Sequence, residues 1–266
     1  MSEIRAKKHL GQHFLTDKNI AKKIAMSLKA EDYSAVLEIG PGTGILTSFL
    51  IDRAFDDFKV VEIDDEAADY MSSKYKDLEI IRHDFLSLDL DSYFDGKMGI
   101  TGNFPYNISS QIFFRLLKYR DKVQELTGTL QKEVADRIVS PPGSKVYGIL
   151  SVLLQAYYDI EYLFTIPPGV FSPPPKVRSA VIRLVRKEQQ PADYDEKLFF
   201  RLVKVSFNQR RKIIRNSLKA LIDLQGINDP ILSKRPEQLG VDGFIELTKL
   251  VEGVINKNND SHGQDN

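Results

Sequence analysis

Residues 36–44 read Val-Leu-Glu-Ile-Gly-Pro-Gly-Thr-Gly, an apolar run followed by three glycines at every second position. The apolar run predicts a short buried strand, and the apolar residues that resume at Ile45 predict a helix to about Ala54. Glycines at such a turn allow a ligand to approach the backbone, and the helix N-terminus presents unpaired N–H groups. The segment therefore indicates either a nucleotide-type site or a tight strand-to-helix turn without a ligand.

The spacing of the glycines distinguishes between cofactors. A dinucleotide fingerprint is Gly-x-Gly-x-x-Gly, and Ile45 stands here at its last glycine position, which disfavours a nicotinamide-dependent oxidoreductase. Glu62 ends the next apolar run, about 20 residues further on, where a carboxylate can accept hydrogen bonds from both ribose hydroxyls. Asp84 follows a third run and can accept from an adenine amino group. The alternatives are a solvated strand-end charge for Glu62 and a turn or cap residue for Asp84.

Strand-like and helix-like runs alternate through the first half of the chain. Strands are predicted at 36–39, 58–63, 79–82 and 98–101, and helices at 45–54, 66–75 and 109–117, with an earlier helix capped by Thr16. This alternation predicts an α/β fold with a doubly wound, mostly parallel sheet.

The last third of the chain has a different pattern. A strand at 180–185 closes the predicted sheet, and from Tyr194 onward the apolar spacing is helical. We predict an α/β domain over residues 1–187, a small all-α domain over 188–256, and a polar, disordered tail over 257–266.

A second chemical signal, Asn103-Phe104-Pro105-Tyr106, follows the fourth predicted strand, where such folds place ligand-binding loops. The lone pair of an adenine amino nitrogen is conjugated with the ring, so methylation there requires acceptors for both of its protons. The Asn103 side-chain carbonyl and a backbone carbonyl beside Pro105 can be those acceptors, and Pro105 stiffens the loop. Tyr106 can stack on the base. A turn with purely local hydrogen bonds is the alternative.

A proline-bound loop at 167–177 contains a further aromatic residue, Phe171. Its ring can stack on the other face of the target base, or it can anchor the loop in the core. The sequence leaves both roles open.

The composition excludes several kinds of chemistry. The chain has no cysteine, which excludes disulfides, cysteine-ligated zinc, iron–sulfur clusters and thiol nucleophiles. Its formal net charge is zero, so bulk charge does not indicate a nucleic-acid partner. The N-terminus lacks a signal-peptide pattern, and no apolar stretch approaches the roughly 18 residues of a membrane span. We expect a soluble, cytoplasmic monomer without membrane contact.

Basic residues are nevertheless concentrated in one stretch. Residues 201–220 contain seven Lys or Arg and no acid. We predict that Arg210, Arg211, Lys212 and Arg215 form a phosphate-facing helix surface, which Lys7 and Lys8 extend. A solvated helical face is the alternative.

In their order along the chain, these motifs resemble the ribosomal RNA adenine dimethyltransferase family, and within it the bacterial small-subunit enzymes. The resemblance runs from Lys8 to about Val254 and is carried by residues 11–15, 38–44, 62–64, 83–85, 103–109, 173–181 and 207–212. Two positions depart from the usual pattern: Phe104 stands where Leu or Ile is usual, and His13 where Asn is frequent.

The resemblance implies a class I methyltransferase with a Rossmann-like fold and a seven-stranded sheet, with S-adenosylmethionine as cofactor and no metal. It implies that His13 and Leu15 border the cofactor, that Gly40 lies against its methionine part, and that Glu62 and Asp84 hold its ribose and adenine. The cofactor-binding set is then Gln12, His13, Leu15, Gly40, Gly42, Glu62, Ile63, Asp84, Phe85 and Asn103. The catalytic set is Asn103, Pro105, Tyr106 and Phe171.

The activity that the resemblance implies is dimethylation of N6 on two adjacent adenosines in a hairpin near the 3′ end of 16S rRNA, within the small ribosomal subunit, together with a role in small-subunit biogenesis. One alternative is a 23S rRNA adenine methyltransferase that confers macrolide resistance, and Pro173–Pro175 with Phe207–Leu218 disfavour it. The other is a non-catalytic ribosome-assembly or transcription factor on the same fold, which the intact segment Asn103–Tyr106 disfavours.

Overall fold

The computed structural model describes residues 4–189 and 193–262, with side chains up to residue 257. These residues form two compact units. The sheet unit comprises the described residues up to Asp136 together with Tyr158–Lys187, and the helical unit comprises Arg137–Tyr157 and the described residues from Glu188 onward.

The regular elements follow the alternation that the sequence predicts. The strands are β1 (Phe14–Leu15), β2 (Ala35–Ile39), β3 (Asp57–Glu62), β4 (Glu79–Arg82), β5 (Met98–Asn103), β6 (Val123–Gln131), β7 (Tyr158–Ile166), β8 (Phe171–Ser172) and β9 (Ser179–Arg186). The helices are α1 (Lys18–Ser27), α2 (Ile45–Ile51), α3 (Asp65–Lys74), α4 (Ser109–Lys118), α5 (Lys132–Val139), α6 (Ile149–Tyr157), α7 (Glu196–Asn208), α8 (Ile214–Leu218) and α9 (Val241–His262).

The main sheet of the sheet unit has seven strands in the order β4-β3-β2-β5-β6-β9-β7. The pairs from β4 to β6 are parallel, and β9 runs antiparallel to both β6 and β7. This confirms the prediction of a doubly wound, seven-stranded, mostly parallel sheet. The strand order reverses between β2 and β5, and a crevice opens at the carboxyl ends of the strands at such a reversal.

The central strands are buried on both faces. Val36, Leu37 and Ile100 are fully buried. A parallel strand with helices on both faces needs such continuous apolar runs, because neither face meets water. The run at 36–39 was therefore sufficient to predict the position of β2.

The cap of α1 differs from the prediction by one residue. The Asp17 side chain, and not that of Thr16, accepts hydrogen bonds from the backbone N–H groups of Asn19 and Ile20. The Thr16 hydroxyl instead donates to the Val170 carbonyl at 2.9 Å. Both residue types are good caps, so their order in the sequence could not decide between them.

The helical unit packs α7 against α6, α8 and α9. Phe199, Leu202, Phe244 and Leu247 are fully buried. Every regular element among the described residues of this unit is helical, as the sequence predicts for an all-α C-terminal part.

The division of the chain is less simple than the predicted boundary between residues 187 and 188. Residues 137–157, which the sequence assigned to the α/β domain, pack with the helical unit. Helix α6 is apolar around most of its circumference, with Leu150, Leu153 and Leu154 all buried. Such a helix needs partners on several sides, and it finds them in α7 and α9.

The end of the chain also differs from the prediction in part. Helix α9 extends to His262, so the backbone over 257–262 is helical where the sequence predicted disorder. Extending an existing helix costs far less than starting one, which allows a polar segment to continue it. Residues 263–266 lie outside the described residues. None of the helices in the described part of the chain is long and apolar enough to cross a membrane.

Candidate active site

A cavity that is open to solvent lies at the carboxyl ends of β2, β3, β4 and β5. Its position is the one that the reversal in strand order predicts for a ligand. The predicted site residues that line it are Gln12, His13, Gly40, Gly42, Glu62, Ile63, Asp84, Phe85, Asn103, Pro105 and Tyr106.

The glycine loop forms one wall of this cavity. Gly40 and Gly42 both have positive φ, 65° and 52°, in the left-handed region that glycine tolerates best. A Cβ on Gly40 would meet no atom within 4 Å, whereas a Cβ on Gly42 would lie 2.7 Å from the Phe14 ring. Gly40 thus leaves open space for a ligand, and Gly42 allows the N-terminal segment to pack closely.

Glu62 is only 5% exposed, and two backbone groups orient its carboxylate. One oxygen accepts from the Asp64 N–H at 3.0 Å, and the other accepts from the Gly42 N–H at 3.4 Å. Burial raises the pKa of Glu62, and these backbone hydrogen bonds partly offset that effect. Because an ionised carboxylate is purely an acceptor, it suits the two hydroxyl donors of a ribose.

Asp84 and Ile63 line the cavity on either side of Glu62. One Asp84 oxygen accepts from the Leu86 N–H at 2.9 Å, so Asp84 is a turn residue as well as part of the cavity wall. Ile63 is 53% exposed, which is unusual for a large apolar side chain in a cavity wall. A bound planar apolar group would cover it.

Asn103, at the end of β5, has the most informative environment. Its Nδ2 donates to the His13 carbonyl at 2.8 Å, which fixes the orientation of the amide. Its Oδ1 is buried and has no hydrogen-bond partner among the described residues. Since buried acceptors are nearly always paired, this oxygen indicates a missing donor, which a ligand in the cavity can provide.

Tyr106 lies beside Asn103 in the cavity wall and is half-buried. Its hydroxyl is hydrogen-bonded to the hydroxyl of the fully buried Ser179, and its ring centroid lies 5.2 Å from that of His13. Burial raises the pKa of Tyr106, and the Ser179 contact opposes that rise. The ring therefore has a fixed position at the mouth of the site.

Two predicted site residues are not part of this cavity wall. Phe171 is 4% exposed and Leu15 is 3% exposed, and both belong to one core cluster with Ile24 and Leu46. They face each other as partners in the antiparallel pair of β1 and β8. The structure thus favours the alternative that the sequence left open for Phe171, a core anchor, because the ring is buried among apolar side chains. Its stacking on the target base stays a prediction.

Replacement of Phe171 separates these two roles. We expect Phe171→Ala to lower the free energy of unfolding by about 3–5 kcal/mol, since it empties a buried site. Phe171→Leu should cost less than about 1.5 kcal/mol and leave methyl transfer close to that of the unmodified chain, because the anchor stays apolar. Denaturant unfolding and turnover measurements on both variants check this. Loss of turnover in a stably folded Phe171→Leu variant would support the stacking role.

Glu38 lies beneath the glycine loop and is 1% exposed. Burial raises its pKa to about 8, although the Thr47 hydroxyl, which donates to it at 2.7 Å, opposes the rise. The folded chain therefore keeps a proton on Glu38 at pH values where the unfolded chain has already lost it.

Folding stability should consequently decrease as pH rises from about 5 to 8, because the folded state binds the additional proton. Between pH 6 and pH 9 we expect the unmodified chain to lose about 2 kcal/mol of unfolding free energy relative to Glu38→Gln. Urea unfolding at both pH values measures this, with the exposed Glu31→Gln as control. Parallel pH profiles for the chain and Glu38→Gln would show that Glu38 is ionised in the fold.

The structure divides the predicted RNA-binding residues into two groups. The Lys7 ammonium is paired with Asp64 and lies 3.4 Å from Glu66. Arg215 is half-buried and donates to the carbonyls of Leu224 and Ile227 at 2.6 and 2.5 Å. Arg210 donates to the Ser144 carbonyl at 3.1 Å and lies 3.9 Å from Glu237. These three cations therefore have partners within the fold.

The remaining basic residues, Lys8, Arg211 and Lys212, are exposed. Arg211 and Lys212 lie in a turn between α7 and α8, which corrects the prediction of a continuous helix surface. The composition of the basic run is compatible with a helix. The Ile214 N–H, however, donates to the Lys234 carbonyl at 2.8 Å and not to a carbonyl one turn earlier. The sequence does not reveal this long-range contact.

Several cavity residues were not predicted. Phe14 and Asn107 line the cavity, and Asp64 fastens the N-terminal segment without lining it. Phe14 and Asp64 lie within the motifs 11–15 and 62–64, so the motifs marked the positions without assigning roles.

The family model described as "Ribosomal RNA adenine dimethylase" matches residues 3–232 of the chain. The chain belongs to the ribosomal RNA adenine dimethylase family. A protein named Ribosomal RNA small subunit methyltransferase A, from Parabacteroides distasonis, is 52% identical over 261 residues, which cover 97% of this chain and 98% of that protein. A protein of the same name from Flavobacterium johnsoniae is 52% identical over 256 residues, covering 95% and 98%.

Solved structures share the fold of the chain. A dimethyladenosine transferase from Plasmodium falciparum has a TM-score of 0.73 at 24% identity, covering 88% of this chain and 96% of its own, and supports the fold. The 23S rRNA methyltransferase ErmE has a TM-score of 0.65 at 25% identity, covering 89% and 99%. As a member of the dimethylase family the chain is an S-adenosylmethionine-dependent methyltransferase of ribosomal RNA, which confirms the predicted enzyme class and cofactor.

Proposed function

We propose that the chain transfers methyl groups to N6 of two adjacent adenosines in the hairpin near the 3′ end of 16S rRNA in the small ribosomal subunit. It acts there as a cytoplasmic monomer and takes part in small-subunit biogenesis. The observation that carries the chemistry is the buried, unpartnered Oδ1 of Asn103 in the cavity wall. The choice of small-subunit RNA is supported by relatives of about half identity that carry that name.

The residues present fit the cofactor. Glu62 would hold its ribose, Asp84 its adenine amino group and the space beside Gly40 its methionine part, while Ile63 would lie against its adenine ring. When bound, S-adenosylmethionine supplies a sulfonium methyl that is already activated toward nucleophiles.

The chain's own contribution to the reaction is to hold the amino group. Asn103 Oδ1 accepts one N6 proton, and a backbone carbonyl beside Pro105 accepts the other. With both protons held, the nitrogen becomes more pyramidal and its lone pair points out of the ring plane. Alignment of this kind can supply up to about 7–11 kcal/mol of the barrier. Tyr106, fixed by Ser179, lies where it can stack on the base.

The first transfer leaves the amino nitrogen positively charged with a methyl group and two protons, and release of one of these protons to water leaves a neutral amine with one proton. The site then has two acceptors, Asn103 Oδ1 and the backbone carbonyl, for one remaining N–H donor. The monomethylated amine can therefore rotate about its bond to the ring and still keep one hydrogen bond. This allows the same site to accept the amine a second time. An adenine that is already unpaired in a hairpin loop costs less to bring into the cavity than one in a duplex.

Among the predicted RNA contacts, Arg211 and Lys212 are the ones that we propose to bind phosphate in the helical unit, and Lys8 in the sheet unit. We expect Lys212→Gln and Arg211→Gln each to weaken binding to small-subunit RNA, and to lower the slope of log affinity against log salt by about 1. Titrations at several salt concentrations measure this slope. The control is Lys249→Gln, which replaces an exposed lysine on α9. If all three variants have equal slopes, Arg211 and Lys212 do not contact the RNA.

The proposed substrate is tested with labelled S-adenosylmethionine and separate preparations of small and large subunits that lack adenine dimethylation. The label should enter the small-subunit RNA and map to the 3′ hairpin. Label in the large-subunit RNA alone would instead support the macrolide-resistance activity, and no label in either would support a non-catalytic role.

A further inference from the structure

The N-terminal segment forms a wall of the cofactor cavity. Residues 10–14 line the cavity, although they belong to none of the four strand ends that define it. Two contacts fasten the far end of this segment: Asn103 Nδ2 donates to the His13 carbonyl, and His13 Nδ1 lies 2.7 Å from the Pro173 carbonyl. The near end, at Lys7, needs a separate anchor.

That anchor is the carboxylate of Asp64, whose side chain is completely buried. It accepts hydrogen bonds from the Lys7 ammonium, from Gln12 Nε2 at 3.1 Å and from the Glu66 N–H at 3.1 Å. The Lys7 N–H in turn donates to Gln12 Oε1 at 2.8 Å. Lys7, Gln12 and Asp64 thus form a closed set of hydrogen bonds across the segment.

The three hydrogen bonds also explain how a carboxylate can be buried here. An unpaired buried charge is strongly unfavourable, and a charge-assisted pair of good geometry removes most of that cost. Release of Lys7 and Gln12 would leave the carboxylate with the backbone of α3 alone. The pairing therefore favours the arrangement in which the segment lies against the cavity.

Asp64 itself does not line the cavity, whereas its neighbours Glu62 and Ile63 do. We propose that Asp64 is a positioning residue for the cofactor: through Lys7 and Gln12 it holds residues 10–14 in the place where they complete the site. This rests on the assignment of the cavity to S-adenosylmethionine.

The test uses the full chain with S-adenosylhomocysteine as the probe, titrated by calorimetry. We expect Lys7→Gln to weaken its affinity about tenfold, because the closed segment becomes a minor population of the free protein. Lys7→Arg keeps the charge and should restore most of the affinity. Asp64→Asn should weaken binding at least as much as Lys7→Gln, and the double variant no more than Asp64→Asn. Lys22→Gln, an exposed lysine on α1, is the matched control.

A second readout does not depend on ligand. Amide hydrogen exchange of residues 10–14 in the free protein should be faster in Lys7→Gln and Asp64→Asn, and unchanged in Lys22→Gln. Asp64 also caps α3, so Asp64→Asn alone could act through the helix. Lys7→Gln leaves that cap intact and keeps the test decisive.

The proposal is overturned if Lys7→Gln leaves both the affinity and the exchange of residues 10–14 unchanged, because Asp64 would then be only a helix cap. The proposal is also overturned if the losses of affinity in Asp64→Asn and Lys7→Gln add fully in the double variant, because the two residues would then act independently. Failure of the unmodified chain to bind S-adenosylhomocysteine would contradict the cofactor assignment instead, and the exchange measurement would still decide the role of Asp64.

Discussion

Asn103→Ala should reduce methyl transfer to small-subunit RNA by about 10³-fold, while the affinity for S-adenosylhomocysteine falls by no more than about tenfold, because only the hydrogen bond to the His13 carbonyl in the cavity wall is lost. The magnitude is that of removing one preorganised hydrogen-bonding group from a reacting centre, about 10²–10³ in turnover, with a further loss because the amide also bonds to His13. Single-turnover rates at saturating cofactor and RNA, together with calorimetric titration, measure the two quantities separately.

The role of Oδ1 is isolated by Asn103→Asp. This variant keeps an acceptor oxygen, loses the donor to the His13 carbonyl and brings a second acceptor oxygen toward that carbonyl, so we expect a loss of about 10- to 100-fold, smaller than that of Asn103→Ala. Asn216→Ala, an exposed residue on α8, should have no effect. Equal turnover in Asn103→Ala and the unmodified chain would contradict the proposed holding of the amino group.

Glu62→Gln should weaken cofactor affinity by about 100-fold, because hydrogen bonds to a charged group contribute about 1.5–3 kcal/mol each. The substituted amide also brings a donor toward the N–H groups of Gly42 and Asp64, which donate to the carboxylate in the unmodified chain. Turnover at saturating cofactor should decrease much less, since the proposed contact of Glu62 with the cofactor is the same in the ground state and in the transition state. The exposed Glu31→Gln is the control.

The same residue predicts a pH dependence. Burial raises the pKa of Glu62, so the carboxylate becomes protonated at a higher pH than an ordinary glutamate does. A protonated oxygen loses acceptor capacity, and cofactor affinity should therefore fall on acidification earlier than ordinary glutamate titration allows. Calorimetry across a pH series measures this fall. If Glu62→Gln binds the cofactor more weakly but its affinity has the same pH profile as that of the unmodified chain, a group other than Glu62 is responsible for the pH dependence.

The features that were predictable from sequence are those that depend on local order. Glu62, Asp84 and Asn103 each follow an apolar run, and parallel strands bring their carboxyl ends to one edge of the sheet. Neither the positions of these runs nor their spacing required any knowledge of distant contacts. The glycine pattern at 40–44 then limited the kind of ligand that this edge can hold.

The features that were not predictable depend on contacts between distant parts of the chain. Arg215 is basic and near other basic residues, yet its guanidinium is held by loop carbonyls at Leu224 and Ile227. Phe171 is aromatic in a proline-bound loop, yet its partner in β1 places it in the core. Lys7 likewise pairs with an acid 57 positions away. Composition and spacing do not indicate which distant residues such side chains contact.

Delivery of methyl groups to the amino nitrogen of adenine leaves a chemically distinct product. Small-subunit RNA is digested to nucleosides after the reaction, and the methylated nucleoside is identified by mass spectrometry. We expect N6,N6-dimethyladenosine from the unmodified chain and almost none from Asn103→Ala. A methyl group on a ring atom of adenine, or on any other base, would show that the cavity does not hold the amino group as proposed.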